Sequence, residues 1–255
     1  MSDLIPSMDI YPYYDDVLRR KGLIHRLFFR ALPIPLHTFY PLRYEIYLLF
    51  IRILSIGTKI RFRNKKGLLV NIGAGNQGKS NWINIDMVKS TNVNCVFDCR
   101  KKLPFEDNSV RGIFTEHFIE HLDYTEEIPS FLSECRRVLE PGGVLRIIVP
   151  DAEKYLRAYC EDGWEALSKI RLLKNDCIDS DYKFKYRTKL ELINMVFRQG
   201  YRHKYLYDYQ TLEFVLHRYG FSEVLRQKYK KTSFEELCID SIKRAAESLY
   251  VEAIK

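Results

Sequence analysis

Six cysteines occur in 255 residues, and none of them forms a C-x-x-C pair. Cys95 and Cys99 stand four apart, but no second Cys/His pair lies near enough to complete a zinc site. Together with Cys135, Cys160, Cys177 and Cys238 they read as reduced thiols, as expected in the cytoplasm. The first residues are acidic and polar and lack the apolar core of a signal peptide. Long hydrophobic runs are missing too. The apolar stretch from Tyr44 to Ile56 is broken by Glu45 and Arg52, and is too short and too charged to span a bilayer. No internal repeat or low-complexity tract appears, which sets aside repeat architectures. What remains is 46% apolar and 29% charged, a globular composition. The length suits one good core with a small appendage.

Charge is unevenly spread. The net +8 is −4 over residues 1–16, +11 over 17–66 and +1 over 67–255. Two regions follow: an acidic arm and basic helical segment over 1–66, and a nearly neutral domain over 67–255 with a helical insertion at about 151–200. A broad nucleic-acid face on the domain is not expected. In the basic segment, Leu23, Ile24, Leu27 and Phe28 recur at helical spacing, and Pro33, Pro35 and Pro41 are expected to break the run. Residues 17–66 have two main readings. One is a helical cap packed on the domain, and the other is an interfacial anchor for anionic lipid with peripheral membrane contact.

The domain begins with LLVNIGAGNQGKSNWINID, Leu68 to Asp86. A buried strand over Leu68–Ile72 runs into a G-x-G-x-x-G loop, Gly73 to Gly78. A second strand, Trp82 to Ile85, ends in Asp86. Glycine after a buried strand lets the backbone turn tightly and approach a ligand, and an acid at the next strand tip can accept from a ribose diol. Gly73 and Asp86 are 13 apart, too close for a full crossover helix. A loop or a single short turn must join these strands. Further strands are expected over Asn94–Asp98, Arg111–Thr115, Val144–Val149, Phe221–Gln227 and Ser248–Ile254. Helices are expected over Ile128–Leu139, three times in 151–200, and over Tyr209–Tyr219. This is an α/β pattern: a doubly wound, mostly parallel sheet of seven strands with the first crossover helix shortened or absent.

His117-x-x-Glu120-His121 matches the pattern of inverted zinc peptidases. That chemistry needs a third protein ligand and a long helix. Here the residues directly follow a buried strand, so no metal is expected.

The blocks VNIGAGN, WINID, FDCRKKLPFEDNSV, EHFIEHL, RRVLEPGGVLRIIVP and HKYLYDYQTLEFVLHRYGF together resemble the class I S-adenosylmethionine-dependent methyltransferases. The likeness covers about 68–150 closely and 203–254 loosely. Within that class the pattern is most similar to the small type-11-like enzymes found in surface-polysaccharide gene sets. The resemblance implies S-adenosylmethionine as cofactor. It implies a cofactor-binding set of Gly73, Ala74, Gly75, Asn76, Asp86, Met87, Asp98, Cys99 and Glu116. Gly73 and Gly75 would pass beside the methionine part, Asp86 would hold the ribose hydroxyls, and Asp98 or the Cys99 backbone would meet the adenine. With no helix dipole at the glycine loop, backbone amides and Asp86 are expected to hold the cofactor. His117 and His121 are the candidate bases. His203 and Tyr207, on a loop that closes over the pocket in similar enzymes, are the candidate substrate residues.

The expected reaction is methyl transfer to an oxygen of a glycan or lipid-linked saccharide. The methyl is activated by the sulfonium, so in-line placement and, for a hydroxyl, a base are what catalysis needs. An RNA or protein acceptor docked on 17–66 is the alternative, weakened by the absence of a base-methyltransferase motif. A non-catalytic scaffold is the second alternative, opposed by the intact glycine loop and both strand-end acids.

Overall fold

Leu68–Ile72 carries four aliphatic residues in five and forms β1, the third strand in the order of a seven-stranded sheet. The computed structural model describes residues 36–55, 57–174, 177–179, 184–199 and 202–255. The acidic arm and the amphipathic pattern at 17–32 lie outside them. β2 (Ile83–Asp86), β3 (Cys95–Val96), β4 (Val110–Glu116) and β5 (Leu139–Pro150) run parallel to β1 in the order β3-β2-β1-β4-β5. β9 (Ser248–Ile254) then pairs antiparallel with β5, and β8 (Glu223–Gln227) with β9, closing the order at β9-β8. The order reverses between β1 and its neighbours β2 and β4. In open α/β sheets that reversal opens a crevice at the carboxyl ends of the strands.

Among the connections of the five parallel strands, only that from β4 to β5 carries an α-helix, α3 (Glu127–Val138). Its Ile128, Phe131, Leu132, Cys135 and Val138 are all buried, as their spacing predicts. Residues 73–82 hold turns and no helix, so the expectation for the first connection holds. α3 ends at Val138, and Leu139 already pairs with Val110 before a register shift carries the ladder on to Val144.

Preceding the sheet are α1 (Leu36–Leu54) and α2 (Thr58–Phe62). α1 runs through Pro41, which was expected to break it. Pro41 is the sixth residue of α1, so the helix forgoes one N–H bond there and still continues to Leu54.

The chain divides into two compact units. Ile46–Glu153 with Lys204–Lys255 forms one and holds the whole sheet. Its core gathers Val70, Ile72, Ile85, Ile113, Phe131, Leu145 and Val251. On the other face of the sheet, buried Arg146 of β5 faces Glu252 of β9 in register, and Asp240 with the carbonyls of Lys228 and Lys231 takes the rest of the guanidinium. α7 (Tyr209–Arg218) is capped by Asp208, whose side chain accepts from Thr211 N.

The other unit combines the described residues up to Glu45 with Lys154–His203. It holds α5 (Glu165–Arg171), a β6–β7 hairpin (Ile178–Asp179, Phe184–Lys185) and α6 (Lys189–Arg198); α4 (Ala152–Cys160) leads in from the sheet. α6 starts at a capping box between Thr188 and Glu191. The helices expected in 151–200 are therefore all present.

Candidate active site

The glycine loop leaves β1 with Gly73 at φ 76°. A Cβ at Gly73 would meet Phe118 Cβ at 2.8 Å, and one at Gly78 would meet Asn92 O at 2.2 Å. These two glycines let the chain pack on itself. Gly75 differs: a Cβ there would meet nothing within 4 Å. It faces open space at the carboxyl end of β1.

The loop is fastened from within. Gly73 N and Ala74 N both donate to Ile85 O, Gln77 N donates to Ala74 O, and Gly75 N donates to Asp86 Oδ2 at 2.9 Å. This corrects the expectation that these amides hold the cofactor, since they are already spent on the loop. Asn76 is tied through its carbonyl, which accepts from Asn92 Nδ2 at 2.6 Å. Asp86 Oδ1 accepts from Val88 N at 2.8 Å. Each carboxylate oxygen has a second lone pair, so Asp86 can brace the loop and still accept from a diol. Met87 O, next along, accepts from Tyr47 Oη of α1 at 2.9 Å.

Asp98 departs further from expectation. It is 1% exposed and turned into the protein. Arg52 reaches it from α1 at 2.7 Å, and Arg100 at 3.0 Å. Burial works to raise its carboxyl, but the hydrogen bonds from Arg100 and Arg52 prevail and hold it below its usual value. Its carboxylate is a structural hub. The Cys99 thiol is buried, and burial pushes its pKa far up.

At the tip of β4, Glu116 accepts from Ser241 N at 3.1 Å, and burial raises its carboxyl. His117 follows at φ 51°, a left-handed conformation costly for a residue with a Cβ. Its N–H extends the ladder to Ile148 O at 2.8 Å. The ring lies between two protein groups: Nδ1 is 3.3 Å from Glu120 Oε1, and Nε2 is 3.0 Å from Ser248 Oγ. Ser248 Oγ donates onward to Arg244 O at 2.7 Å, so its proton is committed and Nε2–H must donate to it. Glu120 is fully buried on the short turn Ile119–His121. His121 lies at the end of that turn, partly exposed.

Tyr207 comes in from the later part of the chain and bridges in parallel to Asp151, just past β5. Its hydroxyl is buried with no hydrogen-bond partner, and burial, with the charge of Glu120 next, drives its pKa far up. Tyr124 stacks on Tyr205 at 4.1 Å, and Tyr205 meets Tyr207 at 5.1 Å. His203 belongs to the other unit, where Nδ1 donates to Val196 O at 2.6 Å.

The site residues fit S-adenosylmethionine. Open space lies beside Gly75, Asp86 has lone pairs left for a diol, and two acids, Asp86 and Glu116, stand at strand tips where the cofactor's sulfonium and ammonium would bring positive charge. The partners of His117 and the hub at Asp98 were missed in the sequence, where only the E-H-x-x-E-H run hinted at the first.

Residues 79–147 match the family described as a methyltransferase domain. No curated protein matches the chain. Among solved structures, a SAM-dependent methyltransferase from Archaeoglobus fulgidus is 18% identical with a TM-score of 0.43, over 82% of this chain and 94% of that one. One from Mesorhizobium loti is 14% identical with a TM-score of 0.41, over 79% and 97%. Phosphoethanolamine N-methyltransferase 2 from Haemonchus contortus, with S-adenosyl-L-methionine, is 15% identical with a TM-score of 0.38, over 80% and 51%. These distant likenesses carry no argument about substrate. The segment matched by the family runs from Lys79 through β2, β3 and β4 into β5 of the sheet.

Proposed function

We propose that the chain transfers a methyl group from S-adenosylmethionine, as the methyltransferase-domain match over 79–147 supports, and that the acceptor is a hydroxyl oxygen of a saccharide, free or carried on a lipid. The observation that supports this is the Glu120–His117–Ser248 chain at the tip of β4. S-adenosylmethionine supplies an activated methyl when bound, so the residues need only align the acceptor and accept its proton. A hydroxyl, unlike a carboxylate, has a proton that must leave as the C–O bond forms. Ser248 fixes the His117 tautomer with hydrogen on Nε2, which turns the Nδ1 lone pair to Glu120. Carboxylate and imidazole together then form a base that takes one proton between them, with Glu120 stabilising the imidazolium. The Tyr124–Tyr205–Tyr207 group beside Glu120 supplies ring edges and faces of the kind that pack against sugar C–H bonds.

The test is transfer of a labelled methyl from S-adenosylmethionine to saccharide, lipid-linked saccharide, RNA and protein acceptors in parallel. Label is expected in a saccharide. Glu120→Gln and His117→Gln should each lower kcat by about 10²- to 10⁴-fold, with cofactor affinity by calorimetry unchanged. Label in RNA or protein, with saccharides untouched, overturns the reading.

A further inference from the structure

Over residues 46–54, α1 packs one side on other described residues and leaves the other side bare of them. On the inner side Leu48 and Ile51 are buried, Tyr47 bonds Met87 O, and Arg52 bonds Asp98. On the outer side Ile46, Leu49, Phe50, Ile53 and Leu54 are exposed, Leu54 to 81%, and on α2 Ile60 is exposed to 75%. The spacing of Ile46, Leu49, Phe50, Ile53 and Leu54 places them on one helical face. Scattered apolar side chains need no explanation, but a contiguous stripe of this size marks a contact surface.

Charge identifies the occupant. Residues 46–66 hold six Lys/Arg and no Asp or Glu. Arg52 is committed to Asp98; Arg61, Arg63, Lys65 and Lys66 are exposed beyond the apolar stripe, Arg61 also donating to Asn94 O and Lys66 to the carbonyls of Asp107 and Asn108. A second copy of the chain docking stripe to stripe would bring two such cation sets together with no acid in the segment to offset them. An anionic bilayer accepts both features: aliphatic side chains enter the acyl boundary and cations meet lipid phosphates. No helix among the described residues is long and apolar enough to cross a membrane, so this one would lie in the plane of the surface.

We infer that residues 46–66 form a docking surface for an anionic lipid bilayer. The inner contacts of α1 fall on Met87 and Asp98, at the ends of β2 and β3, so docking brings the cofactor end of the sheet toward the membrane. The inference does not depend on the saccharide reading and would stand if the acceptor were water-soluble.

The full chain is mixed with vesicles of phosphatidylcholine alone, or with phosphatidylglycerol added, and centrifuged. Co-sedimentation with the anionic vesicles is expected, weakening as salt rises. The double change Leu49→Glu and Phe50→Glu should reduce it at least about tenfold, and Arg63→Glu with Lys65→Glu should remove the preference for anionic lipid. Cofactor affinity by calorimetry shows that each variant is folded. If the double variant fails that check, Leu54→Asp, at the most exposed position, replaces it. No sedimentation with anionic vesicles, or equal sedimentation with neutral ones, overturns the inference. So does a dimer by light scattering that Leu49→Glu with Phe50→Glu dissolves, which gives the face to a second copy.

Discussion

The Arg52 guanidinium closes on Asp98 Oδ2 with Nε at 2.8 Å and Nη2 at 2.7 Å, joining α1 to the end of β3. Arg100 binds the same carboxylate and is itself buried. Asp98→Asn withdraws the charge that both arginines share. A loss of about 3–5 kcal/mol is expected, the usual cost of breaking a buried pair, read from urea unfolding at neutral pH. The sign with pH follows from the lowered carboxyl. Its contribution is fully present above the unfolded-state value of 3.8 and is lost as pH falls through the still lower folded value. The gap between wild type and variant should therefore shrink only in acid.

Gly75→Ala and Gly78→Ala should fail differently. At Gly78 the new methyl lands 2.2 Å from Asn92 O, so the loop must move. A loss of stability of about 1–3 kcal/mol is expected. At Gly75 the methyl meets open space, and the cost is its φ of 48°, about 1 kcal/mol. If the cofactor fills that open space, the methyl intrudes on it, and cofactor affinity should fall by about tenfold or more, a shift of about 1.4 kcal/mol. Thermal unfolding and calorimetry on both variants separate the effects.

Glu116 sets a pH dependence for cofactor binding. Burial raises its carboxyl above the usual 4.5, so on acidification it loses its charge sooner than an exposed glutamate. Affinity for the cationic cofactor should decline as pH falls toward that raised value. Glu116→Gln should bind more weakly at neutral pH and show a flatter profile, by calorimetry across the acid range.

Arg146 holds Asp240 with Nε at 2.9 Å and Nη2 at 2.7 Å, and Glu252 with Nη1 at 2.7 Å, all with side chains fully buried. Arg146→Met leaves two buried acids without their cation, and about 3–5 kcal/mol should be lost. Arg146→Lys should also be costly, because an ammonium cannot make the two parallel bonds of a guanidinium. Denaturant unfolding of both variants is the measurement.

What the sequence discloses depends on how far apart the interacting residues lie. The strands around Ile72, Ile85, Ile113 and Ile147 are local apolar runs, and α3 shows its buried face by period alone. The missing first crossover helix is also local, because the span from Gly73 to Asp86 leaves it no room. Asp98 misleads for the opposite reason. Its partner Arg52 lies 46 residues away and is supplied by tertiary packing. Arg146 lies 94 residues from Asp240, so nothing near it announces a buried ion group. The loop amides were judged by their residue types, which do not show that Ile85 O already claims two of them. The tautomer of His117 rests on Ser248, 131 residues later.

The short link between β1 and β2 has a last consequence. Without a helix to pack down, that edge of the sheet is joined by amides. Asn84 Oδ1 accepts from Lys79 N and its Nδ2 donates to Lys79 O; Asn94 Oδ1 accepts from Asn84 N and its Nδ2 donates to Trp82 O. An asparagine amide serves as donor and acceptor at once and neither gains nor loses a proton at any ordinary pH. The joinery beneath the glycine loop is therefore silent to acidity. An aspartate at either position would set an oxygen against a carbonyl oxygen, so these two joints tolerate no carboxylate in place of the amide.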